Sequence, residues 1–193
     1  GVANGLRDYY LTVAQDIIRR NKIGELYELI GIAAKSFNDA AVVDRQLPKV
    51  GIVGEIYLKF NSFAHKNVVD YLAHRNIEVK PPLMLGFFMQ GFVNRKVRKE
   101  THVEKSRMPE FLANAAYALV ARKVKQVNRL ASQFRHFTPF TDIFEEARHV
   151  REIISLSAQF GEGWGLPAEV VSYARNGVNN VISLQPTTSY PKG

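Results

Sequence analysis

The chain has 193 residues, of which 46% are hydrophobic and 23% charged, and it carries a net charge of +8. That balance belongs to a globular protein and excludes a disordered or collagen-like chain, and the lack of any cysteine excludes disulfides, thiolate nucleophiles and all-thiolate metal sites. No apolar run reaches the ~18 residues of a membrane-spanning helix, and the polar opening does not read as a secretory leader, so a cytoplasmic location away from membranes is expected.

Leu6 to about Lys22 has Leu6, Tyr9, Tyr10, Val13, Ile17 and Ile18 at three- and four-residue spacing, which predicts a helix with one apolar face. Gly24 is expected to break or bend this run. A second helix follows over about 25–38, with Leu26, Leu29, Ile30, Ala33, Ala34 and Phe37 inward. Asp44–Pro48 reads as a linker.

Lys49-Val50-Gly51-Ile52-Val53-Gly54-Glu55 is short, β-branched and closed by glycine. It predicts a buried parallel strand. A polar and aromatic loop over 55–66 is expected next. A helix over Asn67–Arg75 should then turn Val68, Val69, Tyr71 and Leu72 inward, and Ile77–Val79 reads as a second strand ended by Pro81-Pro82. Strand, loop, helix and strand make a βαβ unit.

Pro82 to about Arg95 predicts an apolar helix, and Arg95–Lys105 is either its extension or an exposed loop. Met108 to about Gln133 is the longest helical pattern. Phe111, Leu112, Ala115, Ala116, Leu119, Val120, Val124, Val127 and Leu130 are its expected core stripe. Asp142 is a candidate N-cap for a helix to about Ala158, with Glu145 as capping-box partner. Gly161–Gly165 is a glycine-rich loop. Pro167–Asn176 predicts a helix stopped by Gly177 as a left-handed cap. Val178–Leu184 is a third strand, and Thr187–Gly193 a polar tail.

The elements sum to an α/β fold, a small parallel sheet covered by helices, with helical N-terminal and middle segments. The expected division is a helical segment 1–46, an α/β domain 47–186 and the tail 187–193.

Ligands of open parallel sheets bind beyond the carboxyl ends of the strands. Two stretches occupy that position. After Val53, Gly54 can admit a close ligand, and Glu55, Lys59 and Asn61 can supply polar contacts; the same residues also read as a structural loop with a helix cap. After the third strand comes Gln185, with the turn Glu162-Gly163-Trp164 expected nearby. Trp164 is either a packing residue or a ligand platform. The glycines around Gly51 and Gly54 lack the dinucleotide fingerprint, and no phosphate loop or serine elbow is present. His65, His74, His102, His136 and His149 have no metal spacing, and no carboxylate pair stands out, so catalytic residues are not identified from spacing.

Charge is uneven. Residues 94–129 hold ten Lys/Arg against three acids, while the remainder is nearly neutral. This segment reads either as a solvated face or as a contact for phosphate, a coenzyme tail, nucleic acid or an acidic partner. No nucleic-acid motif accompanies it, and nucleic acid is not the expected partner.

Three stretches carry a family resemblance: Pro48–Phe63 (PKVGIVGEIYLKFNSF), His65–Pro82, and Gly161–Pro186 (GEGWGLPAEVVSYARNGVNNVISLQP). Together they resemble the 2-hydroxyacyl-CoA dehydratase family, in its branch of large activase-related proteins. The resemblance spans about Leu47 to Pro186 and is strongest at both ends. It implies flavodoxin-like α/β domains, of which this sheet would be half, and a four-iron four-sulfur cluster held partly by cysteine thiolates in the full-length protein. It further implies an ATP-dependent activator that donates one electron, and loss of water from a 2-hydroxyacyl-CoA through a ketyl radical, chemistry that a cluster supplies and side chains do not. On this resemblance Gly54, Glu55, Lys59, Asn61, Glu162, Gly163, Trp164 and Gln185 shape a site beside the cluster or the acyl-CoA. In relatives the stretch after Gln-Pro leads into a cysteine-bearing loop; here it reads Thr187-Thr188-Ser189-Tyr190. The chain therefore carries no cluster ligands of its own and is expected to be a domain or fragment of a dehydratase-like protein. The competing expectation is a non-catalytic α/β scaffold that binds an acidic partner through residues 94–129.

Overall fold

The computed structural model describes residues 2–40, 45–81, 84–102, 109–160 and 163–186. Asp44, Pro82, Met108, Gly161, Glu162 and the tail 187–193 lie outside the described residues. In chain order the elements are α1 (Val2–Arg19), α2 (Ile23–Asp39), β1 (Lys49–Gly54), α3 (Ile56–Phe60), α4 (Val68–Ala73), β2 (Glu78–Lys80), α5 (Met84–Glu100), α6 (Glu110–Ala131), α7 (Ile143–Val150), α8 (Gly165–Arg175) and β3 (Asn180–Leu184). They fall into two units: a helical unit, residues 1–45 and 110–140, and an α/β unit, residues 46–109 and 141–193. The helical unit is thus larger than the N-terminal segment 1–46, because α6 joins it.

In the helical unit, α2 packs against α1 and against α6. The break between α1 and α2 falls at Asn21, whose φ is +55°, and Gly24 lies inside α2. Asparagine tolerates this left-handed backbone better than most residues, so it ends the helix before the glycine is reached. Tyr10, Phe37 and Phe134 form a ladder with ring centroids 6.2 Å apart at each step. The Asn38 amide ties the end of α2 to the end of α6: its Nδ2 donates to the Gln133 carbonyl (2.6 Å) and its Oδ1 accepts from the Arg135 N–H (3.0 Å).

The core stripe expected of α6 is corrected in its first half, while Val120, Val124, Val127 and Leu130 of its second half are half-buried. Phe111, Leu112 and Leu119 are exposed, and Ala113 is the buried residue of the helix. This helix is apolar on two sides over its first half, so periodicity alone does not decide which side faces inward.

In the α/β unit the sheet order is β2-β1-β3, with both pairings parallel. The central strand β1 is buried from Val50 to Gly54, as a β-branched run with neighbours on both sides should be. Helix α8 packs on β1, and α5 and α7 pack against α8; Leu72, Met89, Val93, Ile143, Val150, Trp164 and Val178 are among the other large buried apolar residues of the unit. Gly51 leaves room for the Tyr173 ring, which a Cβ there would overlap. The Tyr173 hydroxyl faces the carbonyls of Lys80 (3.1 Å) and Ile52 (3.3 Å), tying α8 to the sheet.

Three local expectations change. The stretch after β1 is not all loop: it contains α3, one helical turn capped by Glu55. Tyr71 of α4 faces solvent, 53% exposed, with the Arg75 guanidinium stacked 3.6 Å from its ring centre. The helix capped by Asp142 stops at Val150 rather than near Ala158; Ser155 Oγ accepts from the Ser157 N–H (3.2 Å), the kind of local bond that competes with helix. Residues 95–100 are helical, as the end of α5. Gly177 closes α8 with a φ of +74°. Among the described residues, no helix is long and apolar enough to cross a membrane.

Candidate functional site

The carboxyl ends of β1 and β3 end in register, Gly54 opposite Leu184. The next residue on each strand is Glu55 and Gln185. The Glu55 N–H donates to the Leu184 carbonyl at 2.9 Å, so both stretches open on one rim. Gly54 makes this possible: its φ is +128°, and a Cβ would overlap the Leu184 carbonyl. Only glycine fits such a close backbone approach without strain.

Most of the polar residues after β1 are held by local bonds. The Glu55 carboxylate accepts from the Leu58 N–H (3.0 Å) and caps α3. Asn61 Oδ1 accepts from the N–H groups of Phe63 (3.0 Å) and Ala64 (3.2 Å), an Asx turn that fixes the chain after α3. Gln185, by contrast, is exposed at the rim.

Lys59 is buried, its side chain 2% exposed. Its Nζ lies 2.7 Å and 3.0 Å from the two carboxylate oxygens of Glu169 on α8. Taking an ammonium out of water is costly unless it is paired and hydrogen-bonded, and Glu169 meets that need. Because Glu169 reaches Lys59 beyond the end of β1, while Tyr173 reaches Ile52 within it, α8 runs antiparallel to β1. The start of α8 therefore lies toward the rim.

Gly163 and Trp164 precede α8. Gly163 has a φ of +43°, and a Cβ there would overlap the Ala158 carbonyl. Trp164 is 1% exposed, and its Nε1 donates to Asn94 Oδ1 at 2.7 Å. Of the two readings of this residue, packing is the one its position matches: the indole faces protein on all sides. Glu162 lies outside the described residues.

A cleft of about 190 Å³ opens along α7 and α8, lined among others by Glu145, Glu146, His149, Ser172 and Arg175. Burial, together with the charge of Glu169 and then of Asp142 and Glu145, pushes the Glu146 carboxyl up to about 7; a hydrogen bond with Ser172 opposes the rise. Glu146 can therefore take up or release a proton near neutral pH, facing this cleft. Burial, reinforced by Glu169, also raises the Tyr173 phenol, which keeps it neutral.

Spacing in the sequence shows no carboxylate pair, yet the fold brings Glu146 and Glu169 within electrostatic reach. Their separation in sequence hides them; the one visible hint is that Glu169, Ser172 and Tyr173 recur at helical spacing on α8. The basic segment 94–129 does not form one element. Arg95, Lys96, Arg98 and Lys99 lie on α5 in the α/β unit, whereas Arg122, Lys123, Lys125 and Arg129 lie on α6 in the helical unit. Arg98 Nε donates to Gln159 Oε1 (2.7 Å), and Lys96 lies 5.7 Å from the Phe144 ring centre.

An iron–sulfur cluster is not accommodated by these residues. The chain has no cysteine, and among the described residues no group of three or more His, Asp or Glu is placed to hold a metal ion. Compared with protein-family models, with curated proteins and with solved structures, the chain matches none.

Proposed function

We propose that the α/β unit is a domain of a 2-hydroxyacyl-CoA dehydratase-like protein, and that its rim forms one wall of the compartment that receives the acyl-CoA. The supporting observation is the meeting of the two stretches that carry the resemblance: Glu55 of the first donates its N–H to the Leu184 carbonyl of the second, at 2.9 Å. In open parallel sheets that rim is where ligands sit.

On this reading the chain's residues shape rather than react. Gly54 lets β1 and β3 close together, Glu55 and Asn61 fix the turn, Lys59 and Glu169 lock α3 onto α8, and Gln185 is the side chain left exposed to a ligand. Cluster ligands come from outside this chain, and no chemical step is assigned to its residues. The required partner is an ATP-dependent activator.

The test is anaerobic purification of the native protein, followed by iron analysis and an assay for loss of water from 2-hydroxyacyl-CoA substrates. Bound iron and turnover that needs both activator and ATP are expected, with Gln185→Ala raising KM while leaving the iron content unchanged. Absence of iron together with absence of activator-dependent turnover rejects the reading.

A further inference from the structure

The helical unit offers a surface that is independent of the reading above. On α6 the side turned from α2 carries Phe111, Leu112 and Leu119, which are 68%, 48% and 62% exposed. Further along this exposed side come Arg122, Lys125 and Arg129, three and four residues apart. These three side chains are exposed and make no ion pair among the described residues. Lys123 is different: its ammonium lies 5.1 Å from the Tyr27 ring centre, within the unit. Glu110 is the one acid in α6. The strip therefore has two halves, about 12 Å and about 10 Å long at 1.5 Å per residue: an apolar half, then a basic half.

We propose that this strip of α6 docks an acidic amphipathic helix of a partner protein. An incoming helix with apolar anchors at i, i+3, i+4 and i+7 would cover Phe111, Leu112 and Leu119. Asp and Glu further along it would meet Arg122, Lys125 and Arg129, giving charge complementarity and register. A second copy of α6 does not satisfy the strip: packed parallel it sets basic half against basic half, and packed antiparallel it sets basic against apolar. A bilayer surface fits less well. A membrane-lying helix keeps its apolar face along its whole length with Lys and Arg on the polar side, whereas here the basic residues occupy the same strip as the apolar ones. Nucleic acid would leave the Phe111–Leu119 half without a role.

The test uses the whole chain and fluorescence anisotropy with three labelled synthetic helices. All three share one Leu-rich half; the other half carries Glu, Gln or Lys. The Glu helix is expected to bind roughly tenfold or more tighter than the Gln helix, with the Lys helix weakest. Phe111→Ser with Leu119→Ser should lower affinity by a similar factor, and Arg122→Glu with Lys125→Glu and Arg129→Glu should reverse the preference toward the Lys helix. These are exposed positions, and circular dichroism melts of the variants should match the parent. Equal binding of the three helices, no saturable binding of the Glu helix, or binding that survives both variants overturns the proposal. So does binding to phosphatidylserine vesicles in place of the Glu helix, or a dimer in sedimentation that depends on Phe111 and Leu119.

Discussion

Lys59 and Glu169 stand 110 residues apart in the chain and meet as a partly buried ion pair, Nζ to Oε1 2.7 Å, beyond the end of the central strand. The pair joins the turn that leaves β1 to the helix that leads into β3. It thus ties α3 to α8 at the rim, with the Lys59 side chain 2% and the Glu169 side chain 21% exposed.

Removing one member should be worse than removing both. Lys59→Met deprives Glu169 of its cation and is expected to destabilise the unit by roughly 3 kcal/mol. The double variant Lys59→Met/Glu169→Leu should recover much of that loss, because two apolar side chains need no solvation. Denaturant unfolding of the singles and the double gives the coupling energy directly. Additive effects would show that the pair contributes no tie between α3 and α8.

Gly54 and Gly91 should respond oppositely to alanine. At Gly54 a Cβ meets the Leu184 carbonyl and the backbone has a φ of +128°, so Gly54→Ala should destabilise by roughly 3 kcal/mol or more. Gly91 sits in α5 with nothing within 4 Å of its Cβ position, so Gly91→Ala should stabilise by about 0.5–1 kcal/mol. Thermal melts of the two variants distinguish these signs.

Glu146 should make stability depend on pH. Its folded value is raised from 4.5 to about 7, so the folded state holds more protons than the unfolded state between those values. Stability therefore falls as pH rises through that window and levels off above it, with a total effect bounded by roughly 3 kcal/mol. Glu146→Gln should raise the melting temperature at pH 8 and leave it nearly unchanged at pH 4. An equal shift at both pH values would exclude Glu146 as the titrating group.

Trp164, the single tryptophan, reports on the core. At 1% exposure it should emit at short wavelength and resist acrylamide quenching in the folded protein. Trp164→Phe leaves Asn94 Oδ1 without its indole donor and should cost on the order of 1–3 kcal/mol. Ready quenching in the native state would contradict the buried position.

Local chemistry made much of this fold legible. Val50-Gly51-Ile52-Val53 announces a buried parallel strand because β-branched residues without alternation suit a strand covered on both faces. Asp142 and Gly177 announce a helix start and a helix end because each satisfies backbone groups nearby. What escaped is what depends on distant partners. Nothing near Lys59 names Glu169, and nothing near Glu146 shows that Glu169 will raise its proton affinity. The inward side of α6 was hidden because its first half is apolar on two faces, so only packing against α2 decides. At the candidate site, the expected position of Glu55 and Gln185 beyond strand ends followed from topology, whereas the burial of Trp164 and the capping bond of Glu55 are tertiary and local details that residue type leaves open.

The rim itself can be measured in this cysteine-free background. Spin labels placed by Glu55→Cys and Gln185→Cys should give a continuous-wave spectrum broadened by dipolar coupling, well beyond the sum of the two singly labelled proteins, and the broadening should vanish on unfolding. A folded double-labelled protein whose spectrum equals that sum would contradict the meeting of the two stretches on which the account is built.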